Sequence, residues 1–472
     1  MKTIFRTGLI FTAMGQYSNT LIQLVINMIL SRLIPVEDFG IIATVQVFLV
    51  FFQNMVSAGM GPAIIQDKKL KGKDYGVLFN YTAVFAIAFA ILFGFLGGPI
   101  AHFYHNKIYT QLFWAMSIII IAEGMNVVPT ALLNKELRFK TLNTRLLICN
   151  LAGAIVGVIA AFSGLGVYTL IISTTVPAVG TLIINFFIVK IEYTTSFALA
   201  PLKEIAKFSI HQLGFNLTNY FSKNTDNLLV GKFLGEAPLA NYQKSYQLIT
   251  LPNIIFIGIL GPVLQPILAK HEEDVALIKT TFLKIVHVLA LVTFPLAAFM
   301  VINAESIIIF LFGKNWFSAV LPFAILASTT WAQTLTAATA SIFMARNQSK
   351  LLLISGLIAT FNMVLFTSLG IFWGSTVTVA IFVAIFYLVN FITTYWILMK
   401  KVLNSNFMEI LKQLIKPFVF GVTMLASLYV INGIVSIGNN FLSLVVNGIC
   451  FLVLFSLLVI ATGELKEIKE LF

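Results

Sequence analysis

Charge is what this chain most lacks. Only 10% of its 472 residues are Asp, Glu, Lys or Arg, where a soluble domain carries about a quarter. Cysteine is nearly absent as well. Cys149 and Cys450 both lie inside apolar runs, so no disulfide framework is expected and they do not indicate a redox compartment. No G-x-x-x-x-G-K-[ST] loop is present to cradle nucleotide phosphates, and no Cys/His metal cluster, HExxH or G-x-S-x-G elbow appears. Five histidines are scattered along the chain, and no connection between apolar runs exceeds about 20 residues. Together these absences argue against an ATP-driven pump, a metalloenzyme and a soluble catalytic domain.

What fills the space is apolar, at 59% of the residues. Repeated uncharged runs of about 20 residues are the length that crosses a bilayer. Hydropathy, Gly/Pro breaks and charge clusters mark about fourteen spans: 8–31, 40–63, 76–97, 108–129, 144–163, 166–189, 208–231, 240–268, 280–302, 317–345, 350–372, 375–399, 415–434 and 440–462. The 317–345 stretch is long enough to be tilted or broken. The first run is too long for a signal-peptide h-region and reads as a retained span.

The charges that exist are sorted. With the N-terminus placed in the cytoplasm, 24 of the 30 Lys and Arg fall on inner segments and four on outer ones (Arg32, Lys107, Lys232, Lys314). Lys223 and Lys244 fall within spans. This is a strong positive-inside bias, with both termini inside. Twelve of the 18 acidic residues are also inner, so the net +12 resides on the inner side. Contact with anionic lipid accounts for it, and no nucleic-acid partner is expected.

The first and seventh spans correspond at an offset of about 200 residues: Gly15 with Gly214, Asn27 with Asp226, Glu37 with Glu236, and Gly61-Pro62 with Gly261-Pro262. Six spans per half keeps the copies in one orientation, as in parallel-repeat transporters. The expected organisation is an N-terminal lobe (1–190), a second lobe (208–400) and two further spans (415–462).

Both matched spans carry polar stripes. Gln16, Asn19, Gln23 and Asn27 are spaced by 3, 4 and 4, and Gln212, Asn216, Asn219, Lys223 and Asp226 by 4, 3, 4 and 3. Such spacing puts each set on one helical face, which should avoid lipid. The following helices add Gln46, Gln53 and Asn54, and Tyr242, Gln243, Lys244 and Tyr246. Interhelical amide bonds contribute only about 0.6 kcal/mol each. Glue explains one or two such residues; a lined, hydrated cavity explains eight or nine. A charge at a helix centre costs about 2.5–3.5 kcal/mol on insertion scales. Lys223 and Asp226, at i and i+3, are either a self-neutralised pair or the border of a cavity. In the second case Lys223 and Lys244 meet an anionic head group, and Asp226 orients Lys223 or couples to an ion. Arg32 is placed to snorkel to lipid phosphate or to face the same site. Glu123, His211 and His287 lie towards inner span ends, where contact with interfacial water accounts for them.

SRLIPVEDFGIIA (31–43), NTDNLLVGKFLG (224–235), ANYQKSYQLITLP (240–252) and PVLQPILAK (262–270) together resemble the bacterial polysaccharide transporter family. These are lipid-linked oligosaccharide flippases of the multidrug/oligosaccharidyl-lipid/polysaccharide exporter superfamily, O-antigen flippases and teichuronic acid translocases among them. The resemblance implies an all-α fold of two six-helix lobes in a V around a central cationic cavity, plus two helices. It further implies a non-enzymatic flippase that carries an undecaprenyl-diphosphate-linked oligosaccharide from inner to outer leaflet by alternating access. Its surroundings would be the lipids of the bacterial cell membrane and proteins of polysaccharide synthesis and polymerisation. No cofactor is expected, and a coupling ion, Na+ or H+, is not specified. Lys223 and Lys244 fit the cationic role. Related lipid II flippases have cavities richer in arginine; here Arg32 is the only arginine expected near a site, which argues against lipid II. Two other readings are a cation-coupled multidrug exporter, which would favour acidic and aromatic linings, and a membrane-embedded polysaccharide polymerase, which would need a longer outer loop.

Overall fold

A computed structural model describes residues 2–269, 271–434 and 438–465. Among them the fold is all-α. Its first helices are α1 (Lys2–Leu33), α2 (Val36–Ser57), α3 (Met60–Gln66), α4 (Lys73–Tyr104), α5 (Ile108–Lys135), α6 (Phe139–Phe162), α7 (Val167–Ile188) and α8 (Leu199–Leu234). Next come α9 (Glu236–Ala269), α10 (Val275–Ile302), α11 (Ala304–Phe312), a 3-10 turn (Lys314–Ala319), α12 (Val320–Ala327) and α13 (Thr330–Ala345). The chain continues with α14 (Ser349–Phe372), α15 (Thr376–Ile397), a π-turn (Leu398–Val402), α16 (Phe407–Ile434) and α17 (Asn440–Ala461).

Helices are what a bilayer permits, because every backbone polar group must find its partner within the segment. Ten of these segments, counting α2 with α3, are long and apolar enough to cross a membrane. The protein is a multi-pass membrane protein. α1, α8 and α9 are as long or longer, at 32, 36 and 34 residues, but carry the polar stripes that dilute their hydropathy. With the broken pair α12/α13 they complete the fourteen expected spans, and the break near Ser328 falls inside the stretch expected to be tilted or broken.

Polar caps hold several helix starts. Asp274 accepts from Leu277 N–H and Ser375 from Thr378 N–H, while Asn439 accepts from both Phe441 and Leu442. α2 ends differently: Ala58 and Gly59 take left-handed conformations, and Gly59 has φ 68°. A Cβ on Gly59 would lie 2.7 Å from both Gln212 Cβ and Ser209 O, so its absence lets α3 start directly against α8.

The chain divides into two compact units, 1–232 and 233–472. The first unit therefore takes in most of α8, and the second contains α16 and α17. The first core is built on Phe93 and Phe113, stacked at 4.5 Å between centroids, with Phe52 edge-on to Phe93. The second is built on Phe282, Phe343 and Tyr395, whose hydroxyl donates to the Leu335 carbonyl at 2.9 Å. α16 and α17 pack on α10 through Leu291, Phe420 and Val459, and Asn447 Nδ2 donates to Asn303 Oδ1 at 2.6 Å and Asn432 Oδ1 at 2.9 Å. Large apolar side chains such as Phe187, Phe372 and Phe162 are exposed, as lipid contact allows. Cys149 and Cys450 are both free.

Candidate functional site

Within the first unit, α2, α3, α5 and α8 enclose a cavity of about 670 Å³. Its walls mix polar and apolar side chains. α2 contributes Gln53, Asn54 and Ser57, α8 contributes Asn216, and α5 contributes Glu123, Asn126, Thr130 and Asn134. Gly59, Gly61 and Pro62 form the corner, and Val50, Ile65, Val127 and Ala131 supply the apolar remainder. The α5 residues recur at intervals of 3, 4 and 4 and so share one face of the helix.

That face is brought close by Gly124. A Cβ there would run into Val56 and Ala86, so only glycine lets α5 approach α2 and α4 this tightly. Behind it lies a hydrogen-bonded frame. Arg145, buried on α6, donates to Asn185 Oδ1 and, at 3.0 Å, to Thr130 Oγ1. Asn185 Nδ2 donates to Asn126 Oδ1 at 2.7 Å, and Asn126 Nδ2 to the Ala178 carbonyl at 3.3 Å. This frame fixes α5, α6 and α7 together and places a cation within electrostatic reach of Glu123. At the mouth, Lys135 Nζ donates to the Ile64 carbonyl at 3.0 Å, the Asp67 carbonyl at 2.6 Å and the Tyr75 hydroxyl at 3.0 Å. A cation at a helix C-terminus satisfies carbonyls that have no intrahelical partner, and here it pins α3. Beyond α3, Asp67 Oδ1 accepts from the Leu70 and Lys69 N–H groups at 2.8 Å each. The Leu70 bond leads in holding its carboxyl below the usual range.

Of the residues the sequence singled out, Asn216 and the α2 amides Gln53 and Asn54 meet in this cavity. Asn216 Oδ1 accepts from Gln212 Nε2 at 3.0 Å. The first-helix stripe does not join them. Gln16, Gln23 and Arg32 are exposed, Asn27 Nδ2 donates back to the Gln23 carbonyl at 2.8 Å, and Asn19 Oδ1 accepts from Asn150 Nδ2 at 2.5 Å. Asp226 is buried, with one carboxylate oxygen accepting from the Asn227 N–H. The side chains of Asn219, Lys223 and His211 lie outside the described residues. Lys244 is buried in the second unit, its Nζ 4.8 Å from the Phe312 ring centroid and 5.3 Å from that of Trp316. His287 is also buried. Its Nδ1 faces the Gln413 carbonyl at 2.9 Å and its Nε2 lies 2.8 Å from Glu464, so it is not an interfacial bystander.

One expectation needs correction. Arg32 is not the only arginine near a candidate site, because Arg145 braces the cavity wall through Thr130. Counting by side puts Arg145 among the inner charges, yet it lies more than a turn inside α6.

Comparison with known proteins agrees with this architecture. Residues 29–321 match the family described as polysaccharide biosynthesis protein. The teichuronic acid biosynthesis protein TuaB of Bacillus subtilis (strain 168) is 25% identical over 89% of this chain and 87% of its own. The lipopolysaccharide biosynthesis protein WzxC of Escherichia coli (strain K12) is 23% identical, over 87% of this chain and 84% of its own. Among solved structures, the lipid II flippase MurJ in an inward closed conformation superposes with a TM-score of 0.78 at 15% identity, covering 97% of this chain and 99% of that one. At that identity the likeness is one of fold. The family match spans more than half of the chain, and the chain belongs to the polysaccharide biosynthesis protein family.

Proposed function

We propose that this protein is a flippase that moves an undecaprenyl-diphosphate-linked oligosaccharide, the precursor of a cell-surface polysaccharide, from inner to outer leaflet by alternating access. One observation carries the reading: a member of this family holds an amide- and hydroxyl-lined cavity within a membrane bundle. Amides and hydroxyls both donate and accept, which suits the hydroxyls of a sugar. Relatives named for teichuronic acid and lipopolysaccharide biosynthesis support a glycan as cargo. A structural neighbour named as a lipid II flippase supports a lipid-linked one.

In this reading the protein lies in a bacterial cell membrane with both termini cytoplasmic, following the basic bias of its inner segments. Lys223 and Lys244 serve the diphosphate end, with Asp226 orienting charge or coupling to Na+ or H+. Arg32 and the amides Gln16, Asn19, Gln23 and Asn27 border the path, and Asn216 and Asn219 contact the glycan. Lipids flank the bundle, and the polysaccharide-synthesising and polymerising proteins are its functional partners. A cation-coupled multidrug exporter of the same fold is favoured by one feature, the Glu123 carboxylate in the cavity. It ranks second because no aromatic ring among the described residues lines that cavity, and rings are the usual face for organic cations.

The test is depletion of the protein in cells that need it for a surface polysaccharide. Surface glycan should fall while undecaprenyl-linked precursor accumulates on the inner leaflet. Unchanged precursor would overturn the reading. Lys223→Ala and Lys244→Ala in the same cells, at normal protein level, should reproduce the defect if the cations serve the diphosphate.

A further inference from the structure

We propose that α3 is a hinged gate at one end of the first unit's cavity. α2 and α3 swing about Ala58 and Gly59 between the broken form of this structure and a single straight helix, and Lys135 is the catch that holds the broken form. The proposal goes beyond the flippase reading and does not depend on what the cavity admits.

The stretch Val36–Gln66 has the length and hydropathy of one 31-residue span, yet its helix stops at Ser57 and restarts at Met60. At the break Ala58 (φ 43°) and Gly59 (φ 68°) are both left-handed. Glycine takes that conformation freely and alanine does not, so the break holds strain at Ala58. Pro62 gives a local reason for it. In an unbroken helix its ring would press on the Ala58 carbonyl four residues back. In the first turn of α3 it is tolerated, because an N–H there would have no helical partner.

The corresponding element of the second unit is not broken. Gly61-Pro62 matches Gly261-Pro262 in the internal repeat, and α9 runs through that step from Glu236 to Ala269. A Gly-Pro step at this place is thus compatible with both forms. Two residues before it the sequences part. Gly59 permits a left-handed turn, whereas its counterpart Ile259 is β-branched and would be an outlier there. The chain around 58–62 allows either form, and contacts outside it choose.

Those contacts are with α8 and α5. Gly59 lies so close to α8 that a Cβ would sit 2.7 Å from Ser209 O and Gln212 Cβ. Lys135, the last residue of α5, points its ammonium at the Ile64 and Asp67 carbonyls (3.0 and 2.6 Å) and the Tyr75 hydroxyl (3.0 Å), which uses all three of its donors. Tyr75 in turn donates to the Leu70 carbonyl at 2.9 Å. Both gripped carbonyls lie at the far end of α3, so the catch acts on the moving part and leaves the hinge free. α3 supplies Gly61, Pro62 and Ile65 to the cavity wall. Release of Lys135 lets α3 continue the line of α2, withdraws those residues, and opens the cavity at the end that carries Lys68, Lys69, Lys71 and Lys73.

The experiment measures the hinge by pulsed EPR on the purified full-length protein in lipid nanodiscs. Cys149→Ala and Cys450→Ala remove the native thiols, and spin labels go on Gln66→Cys and Glu136→Cys, both exposed positions. The broken form gives a short separation and the straight form a longer one. Lys135→Met removes hydrogen bonds from a charged group, and the ratio of long to short should rise about tenfold or more. Gly59→Ile, the residue of the second unit, should raise it too. Ala58→Gly relieves the left-handed alanine, so in the Lys135→Met background it should restore part of the short population, which general loss of structure would not allow. A distance unchanged in both Lys135→Met and Gly59→Ile, or a Lys135→Met distribution that Ala58→Gly leaves as it is, overturns the proposal.

Discussion

Arg145 Nη2 stands 3.0 Å from Thr130 Oγ1, so a guanidinium buried on α6 braces the polar wall of a cavity formed largely by α5. Its other Nη holds Asn185 on α7, and through it Asn126. Three helices are thus fixed by one side chain, while its Nε has no partner among the described residues. The charge is retained at a cost in desolvation, and positioning the α5 stripe is what offsets that cost.

Arg145→Ala should therefore act on structure before it acts on cargo. It leaves Asn185 Oδ1 and Thr130 Oγ1 without their donor and Glu123 without its nearby cation. A loss of about 1–3 kcal/mol is expected from one buried partner left unmatched, read as a lower unfolding temperature in detergent. Arg145→Lys keeps the charge but loses the fork that reaches two acceptors, and should recover only part of the loss. Unfolding of Arg145→Ala at the wild-type temperature would mean that the frame does not hold the helices.

The α2–α3 corner gives a second expectation. Gly59→Ala introduces a Cβ at φ 68°, and that Cβ lands 2.7 Å from the Ser209 carbonyl oxygen. The left-handed conformation alone costs about 1–2 kcal/mol, and the contact forces α3 away from α8. Gly214, on α8, has nothing among the described residues within 4 Å of where its Cβ would sit. Alanine there should be neutral or stabilising by up to about 1 kcal/mol. Thermal unfolding of the two variants side by side decides the matter: equal effects would show that backbone approach at Gly59 is not what sets this corner.

The spans, the all-α class and the unusual length of 317–345 were legible in the sequence, because hydropathy and helix length are local quantities; whether that length meant a tilt or a break was not. The amides Gln53, Asn54 and Asn216 were legible too, since helical spacing marks a polar face. Spacing cannot say which neighbour a face meets. Gln16 and Gln23 form a clean stripe yet are exposed, and the rings over Lys244 come from Phe312 and Trp316, remote in sequence. The α5 stripe was legible in principle: Glu123, Asn126, Thr130 and Asn134 repeat at the same intervals as the first-span amides. It escaped because only one of the four is charged. Arg145 escaped because charge counting assigns every basic residue near a span end to the surface.

A third prediction concerns the added helices. Asn447 on α17 donates to both Asn303 and Asn432, and it is fully buried. Asn447→Leu removes both bonds and leaves two amide oxygens facing a hydrocarbon side chain. Interhelical bonds in membranes contribute about 0.6 kcal/mol on average, so the expected loss is about 1–2 kcal/mol, including the unmatched oxygens. Steric trapping or denaturant unfolding in bicelles measures it. Replacement without loss would assign the docking of α17 to the apolar contacts of Leu291, Phe420 and Val459.

The last prediction follows from Glu464, just past the end of α17. Burial there works against its charge, but hydrogen bonds from His287 at 2.8 Å and Lys416 at 3.1 Å outweigh it and hold the carboxyl below its ordinary value. The sign follows from linkage. A carboxyl whose value is lowered by folding keeps its charge in the folded chain after the unfolded chain has taken up a proton. Its stabilising contribution is complete above the unfolded glutamate value of about 4.3 and is lost as pH falls through the lowered folded value. Glu464→Gln lacks that contribution at every pH. The wild type should therefore unfold at a higher temperature than Glu464→Gln near pH 7, and the gap should close on acidification below about pH 4. A gap that stays constant from neutral to acid would show that the glutamine variant suffers from altered packing at His287, and that the carboxylate charge contributes nothing to holding the end of α17 against α10 and α16.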